Sequence, residues 1–463
     1  MKNIESNNRQ IVVDDIIKIT NGRLIVGDKN TICQNYAKDS REVQQGDIYL
    51  GFLGENSNGS LYYEQAFAKG AIGAIVQDIN IDEEQKEKYK DKFIILVEDT
   101  VKAVQEIAKY KRNLYNIPVI AITGSVGKTS TKDIVASVVS KKFNTAKTEG
   151  NYNNHIGVPL TILKLKNEDA LVIEMGMNHL GEIEVLTNIA KPTVAIITNI
   201  GTAHIGNLGS RENILKAKLE ILTGLQEDGI VVINNDNDLL HQWYLENKNK
   251  YKIVTYGIDN KSDVMAKDIV MTEEGSTYKL VKTNDTIEVP VGGQHFVQNS
   301  LCALAIGSIY NIPMNELQEA IKTFELTKRR MDISKINGIT IINDCYNANY
   351  DSMKAAIEYL GNISDKRKIA VLGDMLELGD FSKKLHEDVG HEIVKNNIDI
   401  VITVGDEARN IAKIANNKID TVIECISNKE AVEVINKIKK ENDCILFKAS
   451  NGMHFEEIIK EIK

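Results

Sequence analysis

The sequence is poor in cysteine, and the few cysteines that it has are not paired. There are five in 463 residues, an odd number with no C-x-x-C spacing. They are Cys33, Cys302, Cys345, Cys425 and Cys444. This pattern excludes a disulfide framework and a cysteine zinc site, and it is typical of reduced thiols in a cytosolic protein.

The sequence also lacks basic clusters and long apolar runs. The formal net charge is −9, and no group of about five or six lysines and arginines stands free of acids, so nucleic acid is not an expected partner. No run reaches the roughly 18 apolar residues of a membrane span. The first ten residues lack the apolar core of a signal peptide. We therefore expect a cytoplasmic protein with no membrane partner.

What the sequence does contain is a glycine loop between a strand and a helix. Val119 to Thr123 form a short β-branched run, Gly124 and Gly127 interrupt it, and the composition from Thr129 onward is helical. Backbone amides in such a loop face an anion, Lys128 neutralises phosphate charge, and the Thr129 hydroxyl is a ligand for Mg²⁺. The predicted ligand is a nucleoside triphosphate, with ATP and Mg²⁺ as the expected pair.

This loop departs from the usual phosphate-binding pattern at its first position. Ile122 stands where that pattern has a glycine, so the loop is the shorter Thr-Gly-x-x-Gly-Lys-Thr form. The alternative is a glycine turn with no ligand.

The length and the order of elements predict three α/β domains. Length divided by about 150 gives roughly three domains, which we place at residues 1–112, 113–327 and 328–463. The central domain is predicted as a doubly wound, mostly parallel sheet, with a smaller α/β domain before it and a Rossmann-like domain after it. The predicted strands of the last two domains are 170–174, 194–198, 230–233, 253–256, 339–343, 369–372, 400–404 and 444–448.

Three residues of the central domain are candidates for chemistry. Glu174 closes a predicted strand, where a carboxylate can hold Mg²⁺, and the alternative is a solvated strand-end acid. His204 follows another strand end, although a lone histidine is more often a loop or core residue. Spacing alone does not distinguish Lys218 from an ordinary lysine on a helix surface.

Polar groups in the outer domains are candidates for substrate binding. Ser40 and Arg41 lie in a polar turn that leads into a strand, and they form either a solvated turn or a site for a phosphorylated substrate. In the last domain several strands end in polar clusters, namely 344–349, 373–375, 405–406 and 449–451. Turn chemistry alone would explain about half of them.

With these residues assembled, the chain resembles the Mur ligases of peptidoglycan synthesis. The resemblance covers all three predicted domains. It rests on Thr123-Gly-Ser-Val-Gly-Lys-Thr-Ser-Thr131, Gly150-Asn-Tyr-Asn-Asn-His-Ile-Gly-Val-Pro159, Glu174-Met-Gly-Met-Asn-His179, Asn343-Asp-Cys-Tyr-Asn-Ala-Asn349 and Val371-Leu-Gly-Asp-Met-Leu-Glu-Leu-Gly379. The resemblance implies an ATP-dependent amide ligase, in which the first domain binds the UDP end of UDP-N-acetylmuramoyl-tripeptide, the second binds ATP and metal, and the third binds D-Ala-D-Ala.

The resemblance also implies roles for individual residues. Thr129 and Glu174 would bind Mg²⁺, His204 would lie at a second metal region, and Lys218 matches a carbamylated lysine of the family. The implied ATP contacts are Gly124, Ser125, Val126, Gly127, Lys128, Thr129, Ser130, Asn299 on the adenine side and Arg330. Lys128, His204, Lys218 and Asp344 are the implied catalytic set. The implied substrate contacts are Ser40, Arg41, Asn154, His155, Asn347, Asn349 and Ser450.

Four departures from the family pattern concern the nucleotide and acceptor contacts. Phe296 replaces an asparagine, Tyr350 a proline, and Asn451 an arginine, and the segment 56–60 is altered as well. One rival is therefore a ligase of the same superfamily that adds a different amino acid or dipeptide. Another is a nucleotide-binding regulatory protein that has lost its chemistry. We expect a monomer that acts on small molecules.

Overall fold

The first part of the chain folds around a small mixed sheet. The computed structural model describes residues 10–462. The first ten residues, from which we expect no signal peptide, therefore lie almost entirely outside the described residues. The N-terminal unit has the sheet order β2-β7-β6-β5-β4, parallel except for the antiparallel pair β2 and β7, beside a short β1-β3 pair. Its elements are β1 (Ile11–Val12), α1 (Val13–Thr20), β2 (Arg23–Val26), β3 (Ile32–Cys33), β4 (Tyr36–Ala37), β5 (Ile48–Leu50), α2 (Tyr63–Ala68), β6 (Gly73–Val76), α3 (Glu83–Lys88), β7 (Phe93–Leu96) and α4 (Thr100–Asn113).

The central unit is built on a nine-stranded sheet. Its elements are β8 (Val119–Thr123), α5 (Lys128–Val139), β9 (Thr145–Lys147), α6 (Gly157–Leu163), β10 (Ala170–Glu174), α7 (Glu182–Ala190), β11 (Val194–Ile197), α8 (Ile205–Leu208), α9 (Arg211–Leu219), β12 (Ile230–Asn234), α10 (Asp238–Asn247), β13 (Lys252–Gly257), β14 (Val264–Met271), β15 (Ser276–Leu280), β16 (Thr286–Val289), α11 (Gln294–Ile309) and α12 (Met314–Lys322). The strand order is β16-β15-β14-β13-β12-β11-β8-β10-β9, and only the β14-β15-β16 end is antiparallel.

The C-terminal unit carries a second doubly wound sheet of six strands. Its elements are β17 (Asp332–Ile336), β18 (Ile339–Asn343), α13 (Tyr350–Gly361), β19 (Arg367–Gly373), α14 (Ser382–Lys395), β20 (Ile400–Val404), α15 (Arg409–Ala415), β21 (Thr421–Cys425), α16 (Asn428–Ile438), β22 (Asp443–Lys448) and α17 (Glu456–Lys460). The order is β17-β18-β22-β19-β20-β21, and every pair except β17 with β18 is parallel.

The order of the central strands explains where a ligand can bind. Strand β8 lies between β11 on one side and β10 on the other. The chain runs from β8 to β9 on the β10 side and then from β10 across to β11, so the direction of winding reverses around β8. A crevice opens at the carboxyl ends of parallel strands where such a reversal occurs, and the glycine loop follows β8 at that place. All five residues of β8 and all five of β10 are buried, as expected for a parallel sheet covered on both faces.

The predicted α/β fold is confirmed, although the strands predicted for the central sheet were incomplete. The sequence analysis did not predict the short edge strand β9 or the antiparallel extension β14 to β16. Strand β14 is mostly exposed or half-buried, and β15 and β16 alternate more and less buried residues instead of forming apolar runs. The exact domain boundaries at 112/113 and 327/328 stay a prediction. Within residues 10–462, no helix is long and apolar enough to cross a membrane.

Candidate active site

The glycine loop turns sharply between β8 and α5 because two of its residues need glycine. Gly124 has φ +150°, and a Cβ there would lie 1.9 Å from the Thr198 hydroxyl oxygen. Gly127 is left-handed, with φ +80°, and caps the N-terminus of α5. Since the first amides of a helix have no partner within it, the start of α5 presents free donors to an anion.

Lys128 lies in this loop and is held there by carbonyl groups. Its Nζ donates to the Gly124 oxygen at 2.7 Å and to the Ser125 oxygen at 3.3 Å. Desolvation lowers the pKa of Lys128, the Glu174 carboxylate opposes that shift, and the Arg330 charge adds to it. The amine is therefore placed to exchange weak carbonyl partners for a polyanion.

Glu174 closes β10 with one carboxylate oxygen bonded and the other without a partner. Oε1 accepts from Asn153 Nδ2 at 2.8 Å, and the Glu174 amide donates to the Thr148 hydroxyl at 2.9 Å. Oε2 is buried and has no hydrogen-bond partner within the part of the chain that the structure describes. A buried carboxylate oxygen of this kind is suited to a cation ligand.

Lys218 is not a surface lysine. It lies on α9 with no side-chain exposure, and its Nζ has no hydrogen-bond partner among the described residues. Burial lowers the pKa of Lys218 well below its usual value, and the Lys128 charge lowers it further. Burial therefore favours the neutral form of this amine.

His204 caps the short helix α8 in a strained backbone conformation, with φ +63°. Its Nδ1 lies 2.9 Å from Oε2 of Glu377, a residue of the C-terminal unit. Burial lowers the pKa of His204, and the Glu377 carboxylate partly opposes that shift. The His204 and Glu377 side chains therefore link the central unit to the C-terminal unit.

Removing the Glu377 charge tests this pairing. We expect Glu377→Gln to lower the pKa of His204 further, because the neutral amide no longer favours the imidazolium ion. An NMR pH titration of the histidine rings measures the shift. The matched control is Glu182→Gln, which alters the partner of exposed His179, 3.2 Å away. An unchanged His204 titration in Glu377→Gln would show that the pair does not form in solution.

The C-terminal unit supplies the opposite wall of the cleft. Arg330 donates from Nη2 to the Thr129 hydroxyl at 3.3 Å, and its guanidinium carbon lies 4.1 Å from the centre of the Tyr346 ring. Asp344 pairs with buried Lys448 and accepts from the Met331 amide at 3.2 Å. Between the two walls is a cavity of about 600 Å³, whose lining includes the glycine loop, His204 and Arg330.

A smaller cavity of about 90 Å³ continues from the glycine loop toward α11. Asn299 borders it, accepting from the Thr131 hydroxyl at 3.1 Å, while its buried Nδ2 has no partner within residues 10–462. Phe296 is buried there, 4.4 Å from His295 between ring centres. Burial lowers the pKa of His295 to about 4, so this ring is neutral. The cavity offers amide and aromatic groups next to the phosphate-binding loop.

Comparison with known proteins identifies the family. A model described as "Mur ligase middle domain" matches residues 122–307, and one described as "Mur ligase, glutamate ligase domain" matches residues 329–451. The UDP-N-acetylmuramoyl-tripeptide--D-alanyl-D-alanine ligase of Bacillus subtilis strain 168 is 36% identical over 439 residues, which cover 94% of each chain. The chain belongs to the Mur ligase family.

Solved structures of this Mur ligase family share the whole fold. A crystal structure of MurF from Acinetobacter baumannii is 29% identical, covers 98% of each chain and has a TM-score of 0.87. MurF from Thermotoga maritima, solved in complex with ADP, is 26% identical with a TM-score of 0.81, covering 93% of this chain and 97% of that one. The predicted family and ligase class are thereby confirmed.

Several predicted site residues of this Mur ligase do line the large cavity, and others have partners elsewhere. Ser125, Val126, Gly127, Lys128, Thr129, His204, Arg330, Asn347, Asn349 and Ser450 line it. Ser130, Asn299 and Asp344 border the small cavity instead. Glu174 and Lys218 are buried near Lys128. The Glu174 carboxylate raises the pKa of Lys128, and the Lys128 charge lowers the pKa of Lys218.

The residues predicted to bind the nucleotide sugar are tied to their own surroundings. The Ser40 hydroxyl donates to Gln65, and Arg41 pairs with Asp39 at 2.7 Å while 79% of its side chain is exposed. Asn154 accepts from the amides of residues 156 and 157 at the start of α6, and His155 is exposed. None of these four residues lines the large cavity. Their substrate contacts stay a prediction.

Sequence reasoning missed four residues that shape the site. Asn199 Oδ1 accepts from the amides of Ser125 and Val126, at 3.1 and 2.9 Å, and so braces the glycine loop. Glu377, Tyr346 and Lys448 are the others. Tyr346 and Glu377 lie inside the motifs 343–349 and 371–379, so their place in these motifs could have pointed to them. Lys448 has no such mark in the sequence, because it ends an apolar strand like an ordinary strand residue.

Proposed function

We propose that this Mur ligase joins D-alanyl-D-alanine to UDP-N-acetylmuramoyl-tripeptide with hydrolysis of ATP to ADP and phosphate. The supporting observation is that Lys128 of the central unit and Arg330 of the C-terminal unit meet at one cavity, with Glu174 buried behind it. The proposed substrates are those named for the Bacillus subtilis relative, which matches nearly the whole chain.

The proposed reaction has two steps. A carboxylate oxygen of the tripeptide attacks the γ-phosphorus of ATP, the bond to the bridging oxygen breaks, and ADP leaves. The amine of D-Ala-D-Ala then attacks the carbonyl carbon of the acyl phosphate, loses a proton, and phosphate leaves. Lys128 and Arg330 stabilise the negative charge that spreads over the transferring phosphoryl group.

The residues near the phosphates fit a magnesium ion. Glu174 has a buried oxygen with no hydrogen-bond partner in the described part of the chain, and the Thr129 hydroxyl lies at the start of α5 beside Arg330. These oxygens would hold the ion, with His204 toward a second metal region. When bound, Mg²⁺ supplies charge neutralisation at the phosphate oxygens.

Lys218 fits the carbamate that the family resemblance implies. A neutral, buried amine can attack CO₂, forming an N–C bond and releasing a proton. The product is an anion that would offset the Lys128 charge, which now acts on an amine without a partner. It would also give the metal region another oxygen ligand.

The UDP end of the substrate has a suitable place between the first two units. A cavity of about 850 Å³ lies there, lined by Tyr152, Lys38 and Lys164 among others. The Lys38 and Lys164 amines lie 4.5 and 5.6 Å from the centre of the Tyr152 ring. An aromatic ring flanked by cations suits a base and its phosphates.

A substitution at Tyr152 tests that placement. We expect Tyr152→Ala to raise KM for the nucleotide sugar about 10-fold with little change in KM for ATP, because Tyr152 lines this cavity and not the cavity at the glycine loop, and its loss removes one stacking surface. Steady-state kinetics with each substrate varied in turn measures both constants. The control is Tyr251→Ala, whose ring lies against Trp243, 5.7 Å away. Equal effects of Tyr152→Ala on both KM values would contradict the placement.

The function itself is tested by phosphate release from MgATP and the UDP-tripeptide, with and without D-Ala-D-Ala. We expect release that depends on the dipeptide and a product heavier by one D-Ala-D-Ala unit in mass spectrometry. Release with another amino acid or dipeptide, and none with D-Ala-D-Ala, would identify the rival ligase. ATP binding without release in any combination would favour the regulatory protein.

The proposed substrates bear on location and assembly. ATP and nucleotide sugars are cytoplasmic metabolites, so we keep the expectation of a cytoplasmic enzyme. A monomer remains our expectation. Light scattering of the purified protein measures the assembly directly.

A further inference from the structure

One loop of the central unit touches both the glycine loop and the C-terminal unit. This bridging loop, residues 199–204, runs from the end of β11 to α8. On its inner side the Gly201 amide donates to the Ser125 hydroxyl at 2.9 Å, and Asn199 accepts from the Ser125 and Val126 amides. The loop thus supports the phosphate-binding backbone directly.

On its outer side the bridging loop meets two carboxylates of the C-terminal unit, Glu377 at His204 and Asp351 at Thr202. Asp351 Oδ2 accepts from the Thr202 amide at 2.6 Å and from the Thr202 hydroxyl at 2.8 Å. Hydrogen bonds to a charged acceptor are stronger than neutral ones. The Asp351 side chain is only partly exposed, so these bonds are sheltered from water.

The backbone at this contact is shaped for the carboxylate. A Cβ at Gly201 would lie 2.3 Å from Asp351 Oδ2, so a larger residue would displace it. Five residues later the approach repeats, because a Cβ at Gly206 would lie 2.6 Å from the Glu377 carbonyl oxygen. The C-terminal unit therefore approaches the backbone closely at Gly201 and at Gly206, on either side of His204.

We propose that Asp351 is a positioning residue that docks the C-terminal unit onto the bridging loop and so ties closure of the cleft to the geometry of the glycine loop. Asp351 acts through Thr202 and Gly201. When the unit is docked, Arg330 reaches Thr129 and Glu377 reaches His204. When it is undocked, the same loop loses its outer support.

The competing interpretation is that Asp351 only stabilises its own helix. It lies in the first turn of α13, where an acid favours the helix through the macrodipole. Glu430 provides a matched control, since it lies in the first turn of α16 and accepts from the Ile426 amide at 2.8 Å within its own unit. Loss of either acid should cost similar helix stability, but only Asp351 should affect docking.

The first experiment measures docking in the full-length protein with saturating MgADP. We expect Asp351→Ala to increase the radius of gyration in small-angle X-ray scattering, and Glu430→Ala to leave it unchanged. Gly201→Ala, in which Asp351 is intact, should increase the radius as well. Equal radii for wild type, Asp351→Ala and Gly201→Ala would overturn the proposal, as would a wild type that is already open.

The second experiment measures turnover and rests on the proposed function. We expect Asp351→Ala to lower kcat on the order of 10- to 100-fold, with a smaller loss in Asp351→Asn, which keeps an acceptor oxygen. The kcat of the double variant Asp351→Ala, Thr202→Val should fall by a factor smaller than the product of the factors for the two single variants. A lower kcat with an unchanged radius, or a larger radius with unchanged kcat, would overturn the coupling. If wild type shows no dipeptide-dependent release, the function fails while the scattering result still decides the docking.

Discussion

Replacing Lys128 with alanine is expected to lower kcat about 10³-fold or more while the protein stays folded. The Lys128 amine lies at the start of α5 and, among residues 10–462, donates only to the Gly124 and Ser125 carbonyls, so it can bind a phosphate instead at little cost. Its charge is needed most where negative charge spreads over the transferring phosphoryl group. The measurement is dipeptide-dependent phosphate release at saturating ATP.

The control for this substitution is a lysine near the other end of the same helix. Lys141 lies just beyond α5 and pairs with exposed Glu319 at 3.2 Å, so Lys141→Ala removes an equal charge without touching the loop. We expect its kcat to stay close to that of wild type, because an exposed ion pair contributes little. Intact turnover in Lys128→Ala would refute the assignment of the glycine loop to ATP.

The sequence was most informative where local composition alone determines an element. Strand β8 has the predicted bounds because a β-branched run is bounded there by glycine. Strand β11 ends one residue early, at Ile197, since the Thr198 hydroxyl turns to the Val126 carbonyl of the glycine loop. The antiparallel strands β14 to β16 pair mainly with each other at the sheet edge, and their polar faces gave no apolar run to read.

The site was less predictable because its partners are distant in sequence. Asn199 braces amides more than seventy positions earlier, and Asp351 reaches a threonine 149 positions away. No spacing rule encodes such pairs. Burial was equally invisible, as Lys218 and surface-exposed Lys216 lie two residues apart on one short helix. Only the fold separates the buried lysine from the solvated one.

Lys218 gives the sharpest separation of function from stability. We expect Lys218→Met to lower kcat by more than about 10²-fold, because the variant loses both the amine and any carbamate formed on it. We also expect its free energy of unfolding at pH 7 to rise by about 1–3 kcal/mol in CO₂-depleted buffer, since methionine fills a similar volume without a buried polar group lacking a partner. Activity assays and urea unfolding measure the two effects.

The pH dependence gives this prediction its sign. The folded-state pKa of Lys218 is lowered, mainly by burial, so the unfolded chain holds the proton of this amine more tightly than the folded protein does, which is a penalty for folding. This penalty shrinks as the pH rises toward the ordinary lysine value of 10.5, and the stability advantage of Lys218→Met should shrink with it. Exposed Lys216→Met is the control and should show neither effect. A destabilised, fully active Lys218→Met would mean that the buried amine serves packing and takes no part in the reaction.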